Sequence, residues 1–363
     1  MDAAHGQGYR QRLAGIEALR GVAAVAVVLY HVARHLDQTY GAPFLMALFQ
    51  PGHAGVDLFF VLSGFIILHV HNDDIGRPQR LGHYLRQRFL RLMPIYWIAL
   101  GLTALSLLAG GNGVPAAAWL LWSASLLPTW SEPLLGVAWT LQHELLFYLL
   151  FAALIFNRRV GMAALGLWLA WISLSLVGMT PQSVPPRFSS LYNLEFLFGM
   201  GAALALARGW VGAPRLMVGA GALLLLMSGT AESLGLLDGY GNLARIINGV
   251  PSALLICGLA GWEGKRGMRV PAMFKTLGAA SYSIYLFQFL GIAVAWQLWS
   301  RLGMASGRPG GETWLILSSF LVLGAAGVLG GVVMHFIVER PLLGWLRRRT
   351  AKVGPLAARA GAY

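Results

Sequence analysis

Arg20 and His31 lie eleven positions apart in the first strongly apolar segment of the chain. In an α-helix of about 3.6 residues per turn, that spacing puts both side chains on one face, roughly 16 Å apart along the axis. An arginine can bind an anion, and a histidine can act as a general base or as a nucleophile. Ionisable groups inside a membrane segment are costly and indicate function by default, so this pair is the first candidate site.

Arg88 and Arg91 precede the third apolar segment and stand three residues apart, so they are neighbours on one helical face. Guanidinium groups hold phosphates through forked, charge-assisted hydrogen bonds. Together with Arg20, these two arginines predict a phosphate clamp at one mouth of the bundle. The alternative is that they only anchor the chain to the lipid surface, as basic residues on the inner side of a membrane commonly do.

Two carboxylates in the apolar segments are candidates for orienting His31. Asp57 stands at the start of the second segment, and Glu144 lies in the fourth, between Thr140 and Tyr148 at a spacing of four. Either one could orient His31. Asp57 could instead cap its helix, and Glu144 could instead pair with an arginine.

His31 has two other interpretations. It could bridge two helices by a hydrogen bond, or it could ligate a metal or haem together with His35, one turn further on the same face. No matching histidine pair is expected on a facing helix, so the sequence predicts no metal site. Cys257 is the single cysteine, which leaves no thiolate cluster and no disulfide.

The elements that position these residues are membrane helices. The 363 residues are 57% hydrophobic and 11% charged, whereas soluble domains average about 25% charged residues. Apolar runs predict an all-α, polytopic helix bundle with ten spans near 18–37, 55–72, 92–110, 136–156, 160–178, 192–207, 213–231, 243–262, 278–300 and 314–338. The shorter apolar stretch Ala116–Trp130 is expected to be interfacial or re-entrant.

The net charge of +13 is explained by topology. With a cytoplasmic N-terminus, all but five of the 27 basic residues fall on the cytoplasmic side; the five are Arg34, Arg187, Arg245, Arg301 and Arg308. The positive-inside rule thus predicts cytoplasmic termini and contact with membrane lipid, and it argues against nucleic acid. We expect a membrane domain over residues 1–345, a basic cytoplasmic tail over 346–363, and no removable signal peptide.

Seven motifs, in order over roughly residues 12–345, resemble the acyltransferase 3 family of integral membrane enzymes, which acylate carbohydrates from cytoplasmic acyl-CoA. The motifs are Arg20-x10-His31, Gly55-Val-Asp57-Leu-Phe-Phe-Val-Leu-Ser63-Gly64-Phe65, Arg88-Phe-Leu-Arg91-Leu-Met-Pro94-Ile-Tyr96, Trp139-Thr-Leu-x-x-Glu144-x-x-Phe147-Tyr148, Glu195-Phe-x-x-Gly199, Ser281-Tyr-Ser-Ile-Tyr285-Leu and Glu339-Arg-Pro341. Each is weak alone, but seven in register are specific.

The resemblance implies that His31 is the catalytic histidine and that Arg20, Arg88 and Arg91 interact with acyl-CoA. It also implies that Trp139 and Glu144 lie near the reaction. Members often carry a histidine where this chain has Gln288, so a contribution from a second histidine is not expected here.

The functional hypothesis is an inner-membrane O-acetyltransferase for a bacterial exopolysaccharide or its lipid-linked precursor. The predicted catalytic residues are His31, Glu144 and Asp57, and the predicted substrate-binding residues are Trp139, Tyr148 and Tyr285. Acetyl-CoA is expected as a co-substrate, with no tightly bound cofactor. The alternative is a membrane transporter or flippase, since intramembrane carboxylates and histidines also serve proton relays.

Overall fold

A computed structural model describes residues 13–111, 113, 115–181, 183–304 and 313–351. Within these ranges the chain forms thirteen α-helices and no strand. They are α1 (Ala14–Tyr40), α2 (Pro43–Phe49), α3 (Gly55–His71), α4 (Leu81–Ala109), α5 (Ala117–Ser125), α6 (Ala138–Phe156), α7 (Arg158–Leu176), α8 (Tyr192–Ala207), α9 (Pro214–Ser233), α10 (Asn242–Arg266), α11 (Ala272–Arg301), α12 (Thr313–Met334) and α13 (Arg340–Ala351). Most of the predicted basic tail, from residue 352 onward, lies outside the described residues.

Ten helical segments of the described chain are long and apolar enough to cross a membrane, which confirms the all-α bundle and the number of spans. Several helices are longer than the apolar runs that predicted them. The helix α4 begins at Leu81 rather than near residue 92, so Arg88 and Arg91 lie inside it. Hydropathy marks only the part of a helix that lies in lipid, whereas the helix continues into the polar interface.

Successive spans run in opposite directions, and this gives the bundle two ends. We call the end where α1, α4 and α11 begin the basic end, and the end where α3, α6 and α10 begin the distal end. Backbone contacts agree with this arrangement. At the basic end, the amide of Gly76 after α3 donates to the carbonyl of Leu154 near the end of α6, at 2.9 Å.

Glycines allow the central helices to approach closely. A Cβ at Gly21 of α1 would collide with the backbone of Gly278 on α11, and a Cβ at Gly278 would collide with the backbone of Glu17. Small residues permit such contacts between membrane helices, where packing rather than the hydrophobic effect drives association. The pair aligns α1 with α11, two helices that both begin at the basic end.

The helices α7 and α9 lie at the periphery and expose large apolar side chains, such as Leu167 at 73% and Leu226 at 68%. Exposed leucines on a membrane helix are compatible with contact to lipid tails. The predicted interfacial segment contains α5, which is too short to span a bilayer. It packs on α4, where the hydroxyl of Tyr96 donates to the carbonyl of Ser123 at 2.5 Å.

Candidate active site

A cavity lies between α1, α3, α4, α6 and α11. Along α3 it extends from Val56, near the distal end, to Ile67, near the basic end. These eleven helical steps correspond to roughly 16 Å. Its polar lining consists of Arg20, Ser63, Arg88, Arg91, Thr140, Glu144, Tyr148, Ser281, Tyr282 and Tyr285.

Three of the predicted residues meet in this cavity as an arginine cluster. Arg20 comes from α1, whereas Arg88 and Arg91 come from α4. They converge because both helices begin at the basic end and both line the same space. Glu144 is the carboxylate that lines the cavity, and Glu339 lies within electrostatic range of Arg20 and Arg91, so three guanidinium groups face two negative charges. The excess of positive charge suits an anionic ligand such as a phosphate.

Arg88 is held by a chain of hydrogen bonds from the end of α3. Its Nη2 donates to Nε2 of His71 at 3.1 Å, and Nδ1 of His71 bonds a carboxylate oxygen of Asp74 at 2.8 Å. Because a guanidinium can only donate, His71 accepts at Nε2 and carries its proton on Nδ1. The Nε of Arg88 is buried without a partner among the described residues, which leaves this donor for a ligand.

Glu144 lies in the middle of the cavity wall. One oxygen, Oε1, accepts a short hydrogen bond from the hydroxyl of Tyr148, one turn further along α6. The hydroxyl of Ser63 on α3 donates to the same oxygen at 3.4 Å. Arg20 lies within electrostatic range of this carboxylate. This arrangement favours a role for Glu144 as the negatively charged partner of the arginine cluster. Pairing with an arginine was one of the two roles expected for Glu144 from the sequence.

The distal end of the cavity is closed by a layer of hydroxyl and aromatic groups. Thr140 Oγ1 and the Tyr285 hydroxyl lie 2.8 Å apart, which links α6 to α11. One turn beyond Tyr285, the ring of Phe289 meets the edge of the His31 ring, with centroids 4.7 Å apart. His31 is not one of the residues that line the cavity. It lies one turn further toward the distal end, behind this layer.

The alignment of α1 with α11 determines how far His31 lies from the basic end. His31 stands ten residues after Gly21, and Gln288 stands ten residues after Gly278, so His31 and Gln288 lie at the same level. Gln288 is fully buried, and its Nε2 donates to the Tyr285 carbonyl at 2.8 Å. Its Oε1 has no hydrogen-bond partner among the described residues.

Glu144 does not contact His31. Thr140 shares the level of Tyr285, and Glu144 lies one turn from it toward the basic end. His31 is one turn from the same level in the other direction. The two side chains are therefore separated by about two turns, roughly 11 Å along the bundle. The predicted orienting hydrogen bond from Glu144 to His31 is absent from this structure.

The contacts of Asp57 also differ from the two predicted roles, which were to orient His31 or to cap α3. Its Oδ1 forms an ion pair with Nη1 of Arg245 at 2.6 Å, and both side chains are buried. The guanidinium of Arg245 also lies over the ring of Tyr192, 4.3 Å from its centroid. A charge buried among membrane helices needs such a partner, so Asp57 joins α3 to α10 rather than serving the histidine.

The predicted substrate-binding residues divide between the cavity and a neighbouring aromatic group. Tyr148 and Tyr285 line the cavity. Trp139 does not line it. Its ring packs on Tyr192 at 5.1 Å and on His143 at 5.8 Å, on the side of α6 that faces α8. Trp139 lies next to Thr140, and successive residues on a helix point in different directions.

The metal or haem interpretation of His31 and His35 finds no additional ligand. The edge of His35 meets the ring of Trp296 at 4.7 Å. Over the described residues, no three side chains of histidine, cysteine, aspartate or glutamate converge as a metal site.

Sequence reasoning missed the residues that support the site from outside it. His71 and Asp74, three positions apart, hold Arg88, and Thr140 pairs with Tyr285. The His71–Arg88 and Thr140–Tyr285 bonds join residues 17 and 145 positions apart, so local sequence does not reveal them. Ser63, which the sequence analysis placed in a motif without a role, donates its hydroxyl hydrogen to Glu144. One signal was available, since His71 and Arg88 flank the short connection between two predicted spans.

Comparison with known proteins gives matches over most of the chain. The family model described as an acyltransferase domain matches residues 13–336. The exopolysaccharide production protein ExoZ of Rhizobium meliloti (strain 1021) is 32% identical over 323 residues, which cover 86% of this chain and 96% of that protein.

The acyltransferase MdmB of Streptomyces mycarofaciens is 28% identical over 378 residues, which cover 93% of each chain. Protein 2 in the picA locus of Rhizobium radiobacter is 36% identical over 95 residues, or 26% of this chain and 45% of that protein. No solved structure matches the chain.

Proposed function

Because the chain belongs to the acyltransferase 3 family and is a multi-pass membrane acyltransferase, we propose that it transfers an acetyl group from acetyl-CoA to a carbohydrate hydroxyl. We place the acceptor in a bacterial exopolysaccharide or its lipid-linked precursor. The relative named for exopolysaccharide production supports this assignment, since it is similar over most of both chains.

The observation on which the donor assignment depends is the arginine cluster. Arg20, Arg88 and Arg91 lie together at the basic end of a cavity whose other end approaches His31. Coenzyme A carries its phosphates at one end and its thiol at the end of an extended pantetheine arm. In the proposed complex the phosphates bind the guanidinium groups, and the arm extends through the cavity toward Thr140 and Tyr285.

The proposed chemistry is acyl transfer to a hydroxyl group. In one route His31 acts as general base: it takes the proton of the acceptor hydroxyl as the oxygen attacks the thioester carbonyl, the C–S bond breaks, and the proton passes from His31 to the departing CoA thiolate. In the other route a ring nitrogen of His31 attacks the carbonyl and CoA leaves as the thiol with the ring proton; the acceptor oxygen then attacks the acyl-histidine, and its proton returns to the ring. In either route the thioester must reach past the Thr140–Tyr285 layer to the level of Phe289.

We place the basic end at the cytoplasm of the bacterial inner membrane, with both termini on that side. The predominance of arginine and lysine at this end supports the orientation. The donor then enters from the side where acyl-CoA is made, and the acceptor is reached from the opposite side.

The proposed function is tested by incubating purified protein with acetyl-CoA, labelled in the acetyl group, and an extracellular polysaccharide fraction freed of esters by mild alkali. We expect labelled ester on the sugar with the wild type, and a loss of at least a hundredfold with His31→Ala. The exposed His83 provides a matched control, so His83→Ala should retain wild-type transfer.

Two outcomes contradict the proposal. Near-normal transfer by His31→Ala would remove the assigned role of the histidine. Transport of a glycan without consumption of acetyl-CoA, unaffected by alanine at Arg88 or Arg91, would favour a transporter or flippase instead.

A further inference from the structure

A second, open pocket lies at the basic end of the bundle, where α9 begins and α10 ends. Its lining includes Arg215, Trp262, Lys265 and Arg266, and we call it the basic pocket. It shares no residue with the cavity of the candidate active site. One candidate membrane span begins at Pro214 and another ends at Arg266, so the basic pocket lies at the level of the lipid headgroups.

Close packing of α10 on α9 forms the basic pocket. A Cβ at Gly258 of α10 would collide with the carbonyl of Pro214, the first residue of α9. Trp262 and Lys265 follow Gly258 by four and seven residues, so they lie on the same face of α10 and point toward the beginning of α9. The contact between the two helices therefore determines where these side chains lie.

The charged groups of the basic pocket are all positive. Arg215, Lys265 and Arg266 belong to its lining, and no carboxylate does. The guanidinium of Arg215 lies over the ring of Trp262, 5.0 Å from the centroid, and Nζ of Lys265 donates to the carbonyl of Val211 at 3.0 Å. Over the described residues, none of the three cations forms an ion pair. All three are exposed, so their charges are available to an anionic ligand.

An exposed apolar stripe leads from the basic pocket along α9 toward the distal end. Leu216 lines the pocket and is 72% exposed. Leu223 and Met227 follow at seven and eleven residues, with exposed fractions of 56% and 58%. These spacings place the three side chains, which we call the α9 stripe, on one face of the helix. Eleven helical steps correspond to roughly 16 Å, about half the thickness of the hydrocarbon core of a bilayer.

We infer that the basic pocket binds the phosphate of an anionic phospholipid and that one acyl chain of this lipid lies along the α9 stripe. Arginine and lysine side chains that gather between membrane helices bind anionic headgroups in this way. Trp262 suits the same level, because the amphipathic indole ring is favoured at the membrane interface. The stripe has the length of an acyl chain in one leaflet, and it meets the cations at Leu216.

The test measures binding of phosphatidylglycerol to the purified, full-length protein in a neutral detergent, by native mass spectrometry. We expect the wild type to bind phosphatidylglycerol at least tenfold more tightly than phosphatidylcholine, which has the same phosphate but no net charge. The double variant Arg215→Gln/Lys265→Gln should lose at least tenfold in affinity for phosphatidylglycerol.

Arg158 and Arg159 provide a matched control for the loss of two positive charges. Both are exposed at the beginning of α7, at the basic end but outside the basic pocket. The double variant Arg158→Gln/Arg159→Gln should bind phosphatidylglycerol like the wild type. Equal losses in the two double variants would show a general attraction to basic surface and would overturn the inference.

Glycerol 3-phosphate distinguishes a lipid from a soluble phosphate. It carries a similar charged group without acyl chains, so a hundredfold excess should leave phosphatidylglycerol bound. Leu216→Ser interrupts the α9 stripe where it meets the basic pocket, and we expect it to weaken lipid binding severalfold. Displacement of the lipid by glycerol 3-phosphate, with no effect of Leu216→Ser, would assign the pocket to a soluble phosphate and contradict the inference.

Thermal unfolding provides an independent measurement, because a ligand that binds only the folded protein raises its melting temperature. The substituted side chains are exposed, so the wild type and both double variants should unfold within a few degrees of one another in detergent alone. Added phosphatidylglycerol should stabilise the wild type and the Arg158→Gln/Arg159→Gln control. The same stabilisation of the Arg215→Gln/Lys265→Gln variant would rule out the basic pocket as the binding site.

Discussion

At the scale of single residues, contacts with neighbouring side chains hold Arg88 in the candidate active site. It lies within 5.8 Å of the Tyr84 ring centroid and 5.7 Å of the Tyr148 ring centroid. His71 then accepts one of its hydrogen bonds. These contacts restrict the rotation of a long side chain, so less conformational entropy is lost on binding the proposed phosphate ligand. His71 is thus a positioning residue, which acts through Arg88.

We expect His71→Ala to raise the KM for acetyl-CoA about tenfold, since a hydrogen bond to a charged group contributes about 1.5–3 kcal/mol. The kcat should change much less, because the substitution does not alter His31 or the Thr140–Tyr285 layer. His71→Gln retains an amide oxygen as acceptor and should restore part of the affinity. Steady-state kinetics with acetyl-CoA as the varied substrate check this split, and an equal fall in kcat for both variants would contradict it.

At the scale of elements, the packing of α3 on α8 brings Ser63 to the cavity. The next residue, Gly64, faces α8, where a Cβ would collide with the carbonyl of Phe196. From the other side, a Cβ at Gly199 would collide with the carbonyl of Val61. The two glycines let the backbones touch, and this contact turns the Ser63 face of α3 toward α6.

Gly199→Ala should therefore separate α3 from α8 and destabilise the protein by about 1–3 kcal/mol, as overpacking in a dense interior does. Gly201 lies on the same helix with no atom near its missing Cβ, so Gly201→Ala is the matched control and should be neutral. Thermal unfolding in detergent measures both. Equal melting temperatures for the two variants would show that the α3–α8 contact tolerates a methyl group.

At the scale of the whole molecule, the asymmetry of charge supports the proposed orientation in the membrane. Exposed basic residues gather at the basic end, among them Arg77, Arg80, Arg86, Arg158, Arg159, Arg208, Arg215 and Arg266. Retention of arginine and lysine on the cytoplasmic side orients membrane helices during insertion. In the proposed orientation, the basic end with the arginine cluster faces the cytoplasm and the distal end faces the periplasm.

The single cysteine allows this orientation to be measured. Cys257 is buried, so in a Cys257→Ser background new cysteines can be placed at exposed positions on either side. We expect Leu236→Cys to react with a membrane-impermeant thiol reagent in cells with a permeabilised outer membrane. Gln79→Cys, at the basic end, should react only after lysis, and the reverse pattern would invert the proposed topology.

Local features of the sequence were sufficient to predict the all-α membrane fold and which residues share each helix. The ten spans follow from apolar length, and Arg20 and His31 lie on the one continuous helix α1 because helical periodicity is local. The family resemblance over most of the chain is likewise confirmed. None of these conclusions needed the position of one helix relative to another.

Tertiary structure decided which of the candidate residues meet. It brings Arg20, Arg88, Arg91 and Glu144 to one cavity, pairs Asp57 with Arg245, and places His31 one turn beyond the cavity against Phe289. These relations depend on the alignment and rotation of separate helices, which contacts such as Gly21 on Gly278 establish. Such contacts join residues far apart in the chain, so the periodicity of a single sequence does not contain them.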